Sequence, residues 1–515
     1  LTRPDSPAET AARRTVPLSL GLLVFVVGAA SLGSEIAAAR LLAPYFGDST
    51  IIWANTIGVV LVALSVGYWI GGRVADLHAT VGGLYRLVLV AAVLLAIVPF
   101  LAGPFLDLAV DALDSVEAGA FTGSLLAVLV LVAVPVLVLG MVSPYAIKLA
   151  LHEIDDAGRT AGRLYAISTL GSLAGTFLSA LLFIPLVGTR RTFLAFALAL
   201  ALVGILGVAR ARWAVVPAVI AAAIALPVGI VKAETDAGRV VDDADTEYQY
   251  ARVIESPGGE RRLELNEGQA IHSLIRPGSF LTDGYWDDMI VLPATTRDGA
   301  PPRKVAILGN AGGTVARAIG HYWPDTLIDG VEIDGDVSEL GRKWFDMQAP
   351  RLRTHTEDAR PFLRRTDERY DAILVDAYRQ PYIPFYLSTK EFFALVRERL
   401  APGGRVIINV GHPERSDALE KVLTATMADA FASVIRVPAE VTNTILVAGD
   451  ASLTPASLGR GLGRLPSDLR PRAEQDAEIA APGLRGGKVY TDDKAPVEWL
   501  VDTSIVEVAT DGGER

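Results

Sequence analysis

Apolar runs near residues 17–38, 51–72, 82–106, 121–149, 164–188, 191–209 and 213–231 dominate the first part of this chain. Each approaches or exceeds the roughly 20 residues a helix needs to cross a bilayer. In lipid a spanning segment must satisfy its own backbone hydrogen bonds, so these runs have to be helical. The first is no cleavable signal peptide, because its apolar stretch is long and further spans follow. The seventh, AVVPAVIAAAIALPVGIV, has two prolines in 18 residues and also reads as a segment lying at the membrane interface.

Charge is divided as unevenly as hydrophobicity. Through Lys232 there are 14 Lys and Arg against 12 Asp and Glu, a net of +2, which leaves 33 against 46, a net of −13, for the remainder. The acidic second part has no basic stripe, which argues against nucleic acid and is compatible with cationic substrates. The chain has no cysteine, so disulfides, thiolate metal sites and cysteine nucleophiles are excluded.

With the N-terminus inside, the inner loops carry Arg3, Arg13, Arg14, Arg73, Arg86, Lys148, Arg159, Arg163, Arg210 and Arg212, and the outer ones Arg40, Arg190 and Arg191. That bias favours N-inside. Seven spans then place the second part outside, whereas six spans or one re-entrant segment place it inside. Both remain open at this stage. Within the runs, Glu35 reads either as an interfacial or bundle partner or as a functional group. Gly171 and Gly175 have the spacing of close helix packing.

After a polar linker, 233–245, short alternating segments such as YQYARVIES and RRLELNEGQAIHS suggest a small β-rich subdomain over 246–300. From 301 to 515 strands and helices alternate: VAILG, a helix after Gly313, LIDGVEID, a helix from Asp336, LRTHTED, YDAILVDAY, a helix from Thr389, and RVIINV. Such alternation predicts a parallel sheet with helices on both faces. Ligands of these sheets bind at the carboxyl ends of the strands, and the acids Glu332, Asp334, Asp358 and Asp376 fall there. Gly309, Gly312 and Gly313 form a glycine-rich turn that lets backbone approach a ligand. Glu332 is placed to accept from a ribose diol and Asp358 from an adenine amino group, while Asp376 faces the reactive end. A competing reading makes Glu332 and Asp358 caps of the helices that follow.

The set TEYQ at 246–249, GNAGG, VEID, TEDAR and VDAY resembles the spermidine synthase family of aminopropyltransferases. DAYRQPYIPFYLST and TDDKAPVEWL are similar to its membrane-fused bacterial branch. The fold this implies is a multi-span helical membrane bundle over 1–232, followed by an α/β Rossmann-like, class I methyltransferase-type domain with a small N-terminal β subdomain.

The activity implied is transfer of an aminopropyl group from decarboxylated S-adenosylmethionine, a cosubstrate and no tightly bound cofactor, to a diamine such as putrescine. The sulfonium is the leaving group, methylthioadenosine the product, and no metal is implied. The resemblance makes Asp376 the proton acceptor, and Gln249, the glycine turn, Glu332, Asp358 and Ala359 the nucleoside site. It puts Tyr378 and Arg379 on the amine side. The chain departs from the family where an aspartate of the turn becomes Gly312, where a second loop aspartate becomes Arg379, and where a Tyr-His-Glu stretch becomes Trp286, Asp287 and Asp288. Asp283, Asp287 and Asp288 are then the candidate holders of the amine.

Expected partners are the lipid bilayer of a bacterial cell membrane and a diamine, with no nucleic acid; the resemblance leaves a homodimer open. Two other readings stand beside this one. One is a methyltransferase-like enzyme using intact S-adenosylmethionine, for which Arg379 supplies a countercharge. The other is a polyamine transport or sensing protein whose soluble domain only binds nucleoside.

Overall fold

The computed structural model describes residues 18–46, 50–114, 120–151, 157–208, 211–226, 234–235, 237–246, 248–265, 270–378, 382–501 and 503–504. The chain divides into two compact units, one ending at Pro227 and the other containing all of 228–515.

Six helices among the described residues are long and apolar enough to cross a membrane: Leu18–Ala43, Ile52–His78, Val81–Leu106, Ala133–Ala150, Ala157–Phe183 and Leu186–Ile205. They correspond to the first six expected spans. The seventh run gives a shorter apolar helix, Arg212–Ala225, with Pro217 inside it near its start. Gly171 and Gly175 are buried, and a Cβ on either would stand 2.0 Å from the carbonyl oxygens of Phe25 and Ala29 respectively. Small residues here let two helix backbones touch, as packing in lipid favours. Ser179 reinforces the contact by donating to the Gly33 carbonyl at 2.9 Å.

The second unit starts earlier than its sequence suggests. Five strands, β1 (Glu234–Thr235), β2 (Gly238–Asp245), β3 (Tyr250–Glu255), β4 (Arg261–Leu265) and β5 (Ala270–Ile275), form one antiparallel sheet in sequence order. Most of the expected linker 233–245 is therefore strand, and β2 pairs with β3 along its length. The subdomain also stops short of 300, because the helix Tyr285–Thr295 packs its buried face on the larger sheet.

That larger sheet contains β6 (Lys304–Leu308), β7 (Leu327–Glu332), β8 (Leu352–Thr356), β9 (Tyr370–Val375), β10 (Leu400–Gly411), β11 (Ser433–Glu440), β12 (Asn443–Gly449) and β13 (Ala481–Pro482). Their spatial order is β13-β11-β12-β10-β9-β6-β7-β8. Strands β8, β7, β6, β9 and β10 are parallel, while β12 runs antiparallel to both β10 and β11. The sheet is thus mixed rather than wholly parallel, in the order of a Rossmann-like, class I methyltransferase-type domain.

Side chains alternate between two cores, as strand geometry requires. Leu308, Val375, Ile408 and Phe392 belong to one, and Ile307, Leu374, Ile407 and Met289 to the other. A third cluster joins Val253 and Leu263 of the small sheet to Val337, Leu340 and Phe345, in and just after the helix Gly335–Trp344. This seats β3–β5 beside the carboxyl ends of β6 and β7.

Replacing Gly171 by Leu drives a side chain into the Phe25 carbonyl. Overpacking of this kind costs about 1–3 kcal/mol. The thermal midpoint of the detergent-solubilised protein should fall by several degrees, and an unchanged midpoint would contradict the backbone contact.

Candidate functional site: a cleft at the carboxyl ends of the strands

The turn after β6 is shaped by two glycines with left-handed backbone. Gly309 has φ +87° and a Cβ there would lie 2.4 Å from the Asp376 carbonyl oxygen; Gly313 also has φ +87° and would strike Met347. L side chains rarely adopt that backbone region. Gly312 is held differently: its N–H donates to Ser273 Oγ at 2.8 Å, and its backbone packs on Gly341. The Ala311 N–H donates to Glu332 at 2.9 Å. Two N–H groups of the turn are therefore engaged by the protein, which suits a nucleoside edge better than a phosphate.

Glu332 closes β7. It is buried and also accepts from the Asp334 N–H at 3.1 Å. Burial pushes its carboxyl up to about 7, against the lowering effect of the two N–H donors. Asp334 has the other role predicted for strand-end acids: it caps the following helix through the N–H groups of Asp336 and Val337. It also accepts from Thr246 Oγ1 at 2.5 Å and from Gln249 Nε2 at 3.5 Å. Gln249 thereby reaches the cleft from the start of β3.

Asp358 combines both readings. It caps the helix Ala359–Arg365, accepting from the Arg360 N–H at 2.8 Å, and accepts from the Tyr386 hydroxyl at 2.5 Å, yet it lines the cleft with Ala359.

Asp376 follows β9. Asn409 Nδ2 donates to one oxygen at 2.9 Å and the Tyr285 hydroxyl to the other at 3.2 Å. Burial raises its carboxyl to about 6, and hydrogen bonds from Asn409, Tyr285 and Trp286 pull the other way. Burial, followed by the charge of Asp376, drives the Tyr285 phenol well above its usual range. The Tyr378 hydroxyl accepts from the Gly411 N–H at 2.6 Å and donates to the Asn409 carbonyl at 3.0 Å, fixing the turn after Asp376 to β10. Gln249, Gly309, Glu332, Asp358, Ala359, Asp376 and Tyr378 line one cleft, together with Tyr248, His272 and Tyr386.

The expected amine-binding acids are placed elsewhere. Asp287 accepts from Thr282 N–H and Oγ1 at 2.8 and 2.9 Å and from the Asp283 N–H at 2.9 Å, closing the turn that starts its own helix. Asp288 is fully buried against Arg472, with contacts of 2.7 and 2.5 Å. Asp283 is exposed and pairs with Arg276. None of the three lines the cleft: Asp283 precedes the helix and pairs with Arg276, and the helix beginning at Tyr285 turns Asp287 toward the preceding loop and Asp288 toward Arg472. Arg379 lies outside the described residues. Tyr285, Asn409 and His272 were not singled out from sequence. Asn409, at the carboxyl end of β10, is the one a strand-end rule could have found.

Residues 283–447 match the spermine/spermidine synthase domain. A probable polyamine aminopropyl transferase of Bifidobacterium longum is 29% identical over 289 residues, 52% of this chain and 64% of that protein. A polyamine aminopropyltransferase of Nitrosomonas europaea is 27% identical over 47% of this chain and 72% of that one. A polyamine aminopropyltransferase 2 of Ralstonia nicotianae is 25% identical over 442 residues, 80% of this chain and 82% of that one. The chain thus matches just under two thirds of the Bifidobacterium protein. A probable spermidine synthase from Corynebacterium glutamicum aligns structurally over 49% of this chain and 98% of its own, at 22% identity and TM-score 0.37. The α/β domain of this chain is thus similar to the spermine/spermidine synthase domain over residues 283–447.

The raised carboxyl of Glu332 carries a stability signature. A carboxyl with a higher pKa folded than unfolded makes the native state bind more protons, so stability falls as pH rises from about 4.5 to about 7. Glu332→Gln removes that dependence. Relative to the variant, the wild-type thermal midpoint should decline across this range, and parallel profiles would contradict the assigned burial.

Proposed function

We propose that the protein is a membrane-anchored aminopropyltransferase that moves an aminopropyl group from decarboxylated S-adenosylmethionine to a diamine of the putrescine type. The observation that carries this is Asp376: a buried carboxylate held by the neutral donors Asn409 and Tyr285, in the same cleft as Glu332. The matches to polyamine aminopropyltransferases support the same reading, and the six apolar helices support anchorage in a bilayer.

In this mechanism Glu332 accepts from the ribose hydroxyls, and the Asp358 edge faces the adenine. An amine with a pKa of about 10.4 arrives mostly protonated. Asp376 orients the ammonium and takes its proton, exposing the nitrogen lone pair. The nitrogen attacks the carbon beside the sulfonium; a C–N bond forms, the C–S bond breaks, and its electron pair leaves on sulfur as neutral methylthioadenosine. The proton then passes from Asp376 to solvent. Neutral partners suit this cycle, because a fixed cation beside Asp376 would hold it ionised and weaken it as a base.

Purified full-length protein given decarboxylated S-adenosylmethionine and a panel of diamines should release methylthioadenosine. Asp376→Asn should lower the rate by about 10²- to 10⁴-fold while leaving methylthioadenosine binding in place. Methyl transfer from intact S-adenosylmethionine, with no aminopropyl product, would replace this reading by a methyltransferase one.

Because the ionised form of Asp376 is the working base, kcat/KM should climb as pH rises through about 6. An acid limb unchanged in Asp376→Asn would remove Asp376 from the proton transfer.

A further inference from the structure

His272 is the cleft residue that neither the resemblance nor the proposed mechanism uses. It sits in β5 at a register shift: Leu263 pairs with Ser273 and Glu264 with Ile271, so His272 is the extra residue of a β-bulge. Bulges re-aim side chains and recur beside active sites. Here the neighbouring Ser273 turns to the Gly312 N–H, while His272 lines the cleft with Gln249, Gly309, Glu332 and Asp376. Its Nε2 is buried and has no hydrogen-bond partner. A buried polar atom without a partner is rare in a native fold and calls for an explanation, of which an unseen ligand atom is one.

The carboxylates of the lining each have at least one partner through their side chains. Glu332 holds the N–H groups of Ala311 and Asp334, Asp358 holds Arg360 and Tyr386, and Asp376 holds Asn409 and Tyr285. Glu357 has one oxygen buried without a partner, but its other oxygen pairs with Arg365. Enclosure also lowers the His272 imidazole to about 4, so the ring is neutral at ordinary pH and one ring nitrogen is an acceptor. The donor contains one group rich in N–H that the nucleoside-binding residues leave unanswered, the primary ammonium of its aminopropyl arm.

We propose that His272 is a donor-specificity residue whose Nε2 accepts a hydrogen bond from the aminopropyl ammonium of decarboxylated S-adenosylmethionine. This rests on the aminopropyltransferase reading of the cleft. A neutral acceptor binds the ammonium without adding a further carboxylate to a cleft that already holds Glu332, Glu357, Asp358 and Asp376, of which burial makes Glu332 and Asp376 reluctant to ionise. The role also accounts for the bulge, which carries the imidazole into the cleft.

The test compares two ligands that differ in the ammonium arm. Binding of methylthioadenosine and of decarboxylated S-adenosylmethionine to the full-length protein is measured by calorimetry for wild type, His272→Leu and His272→Gln. A hydrogen bond to a charged group is worth enough that its loss should weaken decarboxylated S-adenosylmethionine roughly tenfold or more in His272→Leu. Methylthioadenosine should change less than about twofold, and His272→Gln, which retains an acceptor, should recover most of the loss.

Equal weakening of both ligands would overturn the proposal by making His272 a nucleoside contact. Unchanged binding of both would overturn it by leaving the ring without a ligand. The methylthioadenosine measurement also reports whether each variant folds. If the wild type binds both ligands but transfers no aminopropyl group, the enzymatic reading fails while the His272 comparison still stands or falls on its own data.

Discussion

The second unit depends on the close approach of two adjacent strand ends. The Asp376 N–H donates to the Leu308 carbonyl at 2.8 Å, and Gly309, the residue just after β6, can have no Cβ because the Asp376 carbonyl oxygen occupies that space. Sheet pairing between β6 and β9 thereby presses the glycine turn against the turn that carries Asp376. Glu332 is tied to the same point from β7 through the Ala311 N–H. The proposed nucleoside edge and the proposed base are brought together by main-chain geometry, and the flanking side chains then set their charge.

The candidate site was legible wherever its residues obey a rule of local sequence. Strand-end acids are set by the period of the strand and by parallel topology, so Glu332, Asp358 and Asp376 could be placed without coordinates. Gly309 and Gly313 follow from the backbone the turn must adopt. The side chains that govern Asp376 obey no local rule. Asn409 is 33 residues away and Tyr285 is 91, and only the folded sheet joins them. His272 was hidden because a bulge breaks the alternation by which a strand is read.

The misread segments fail for related reasons. GRVVDDAD reads as a linker because of its three acids, yet Asp242 is answered by Lys343 and the Trp344 indole at 2.6 and 2.7 Å, partners about a hundred residues downstream. Asp287 and Asp288 resemble free cation ligands until the fold supplies Thr282 for one and Arg472 for the other. The sheet's antiparallel strand β12 comes from VTNTILVAG, whose apolar run is as compatible with a parallel strand. Its direction is set by the tight connection from β11. In the helical unit, by contrast, length and composition alone marked six helices long and apolar enough to cross a membrane.

We propose that these strand ends form one adenosyl-binding cleft with Asp376 at its reacting end. A structure of the full-length protein with methylthioadenosine bound tests it most directly. The ribose hydroxyls should lie within hydrogen-bond distance of Glu332, the adenine beside Asp358, and the thioether sulfur toward the Asp376 side of the cleft. A nucleoside bound away from Glu332, or one whose sulfur points away from Asp376, would contradict it.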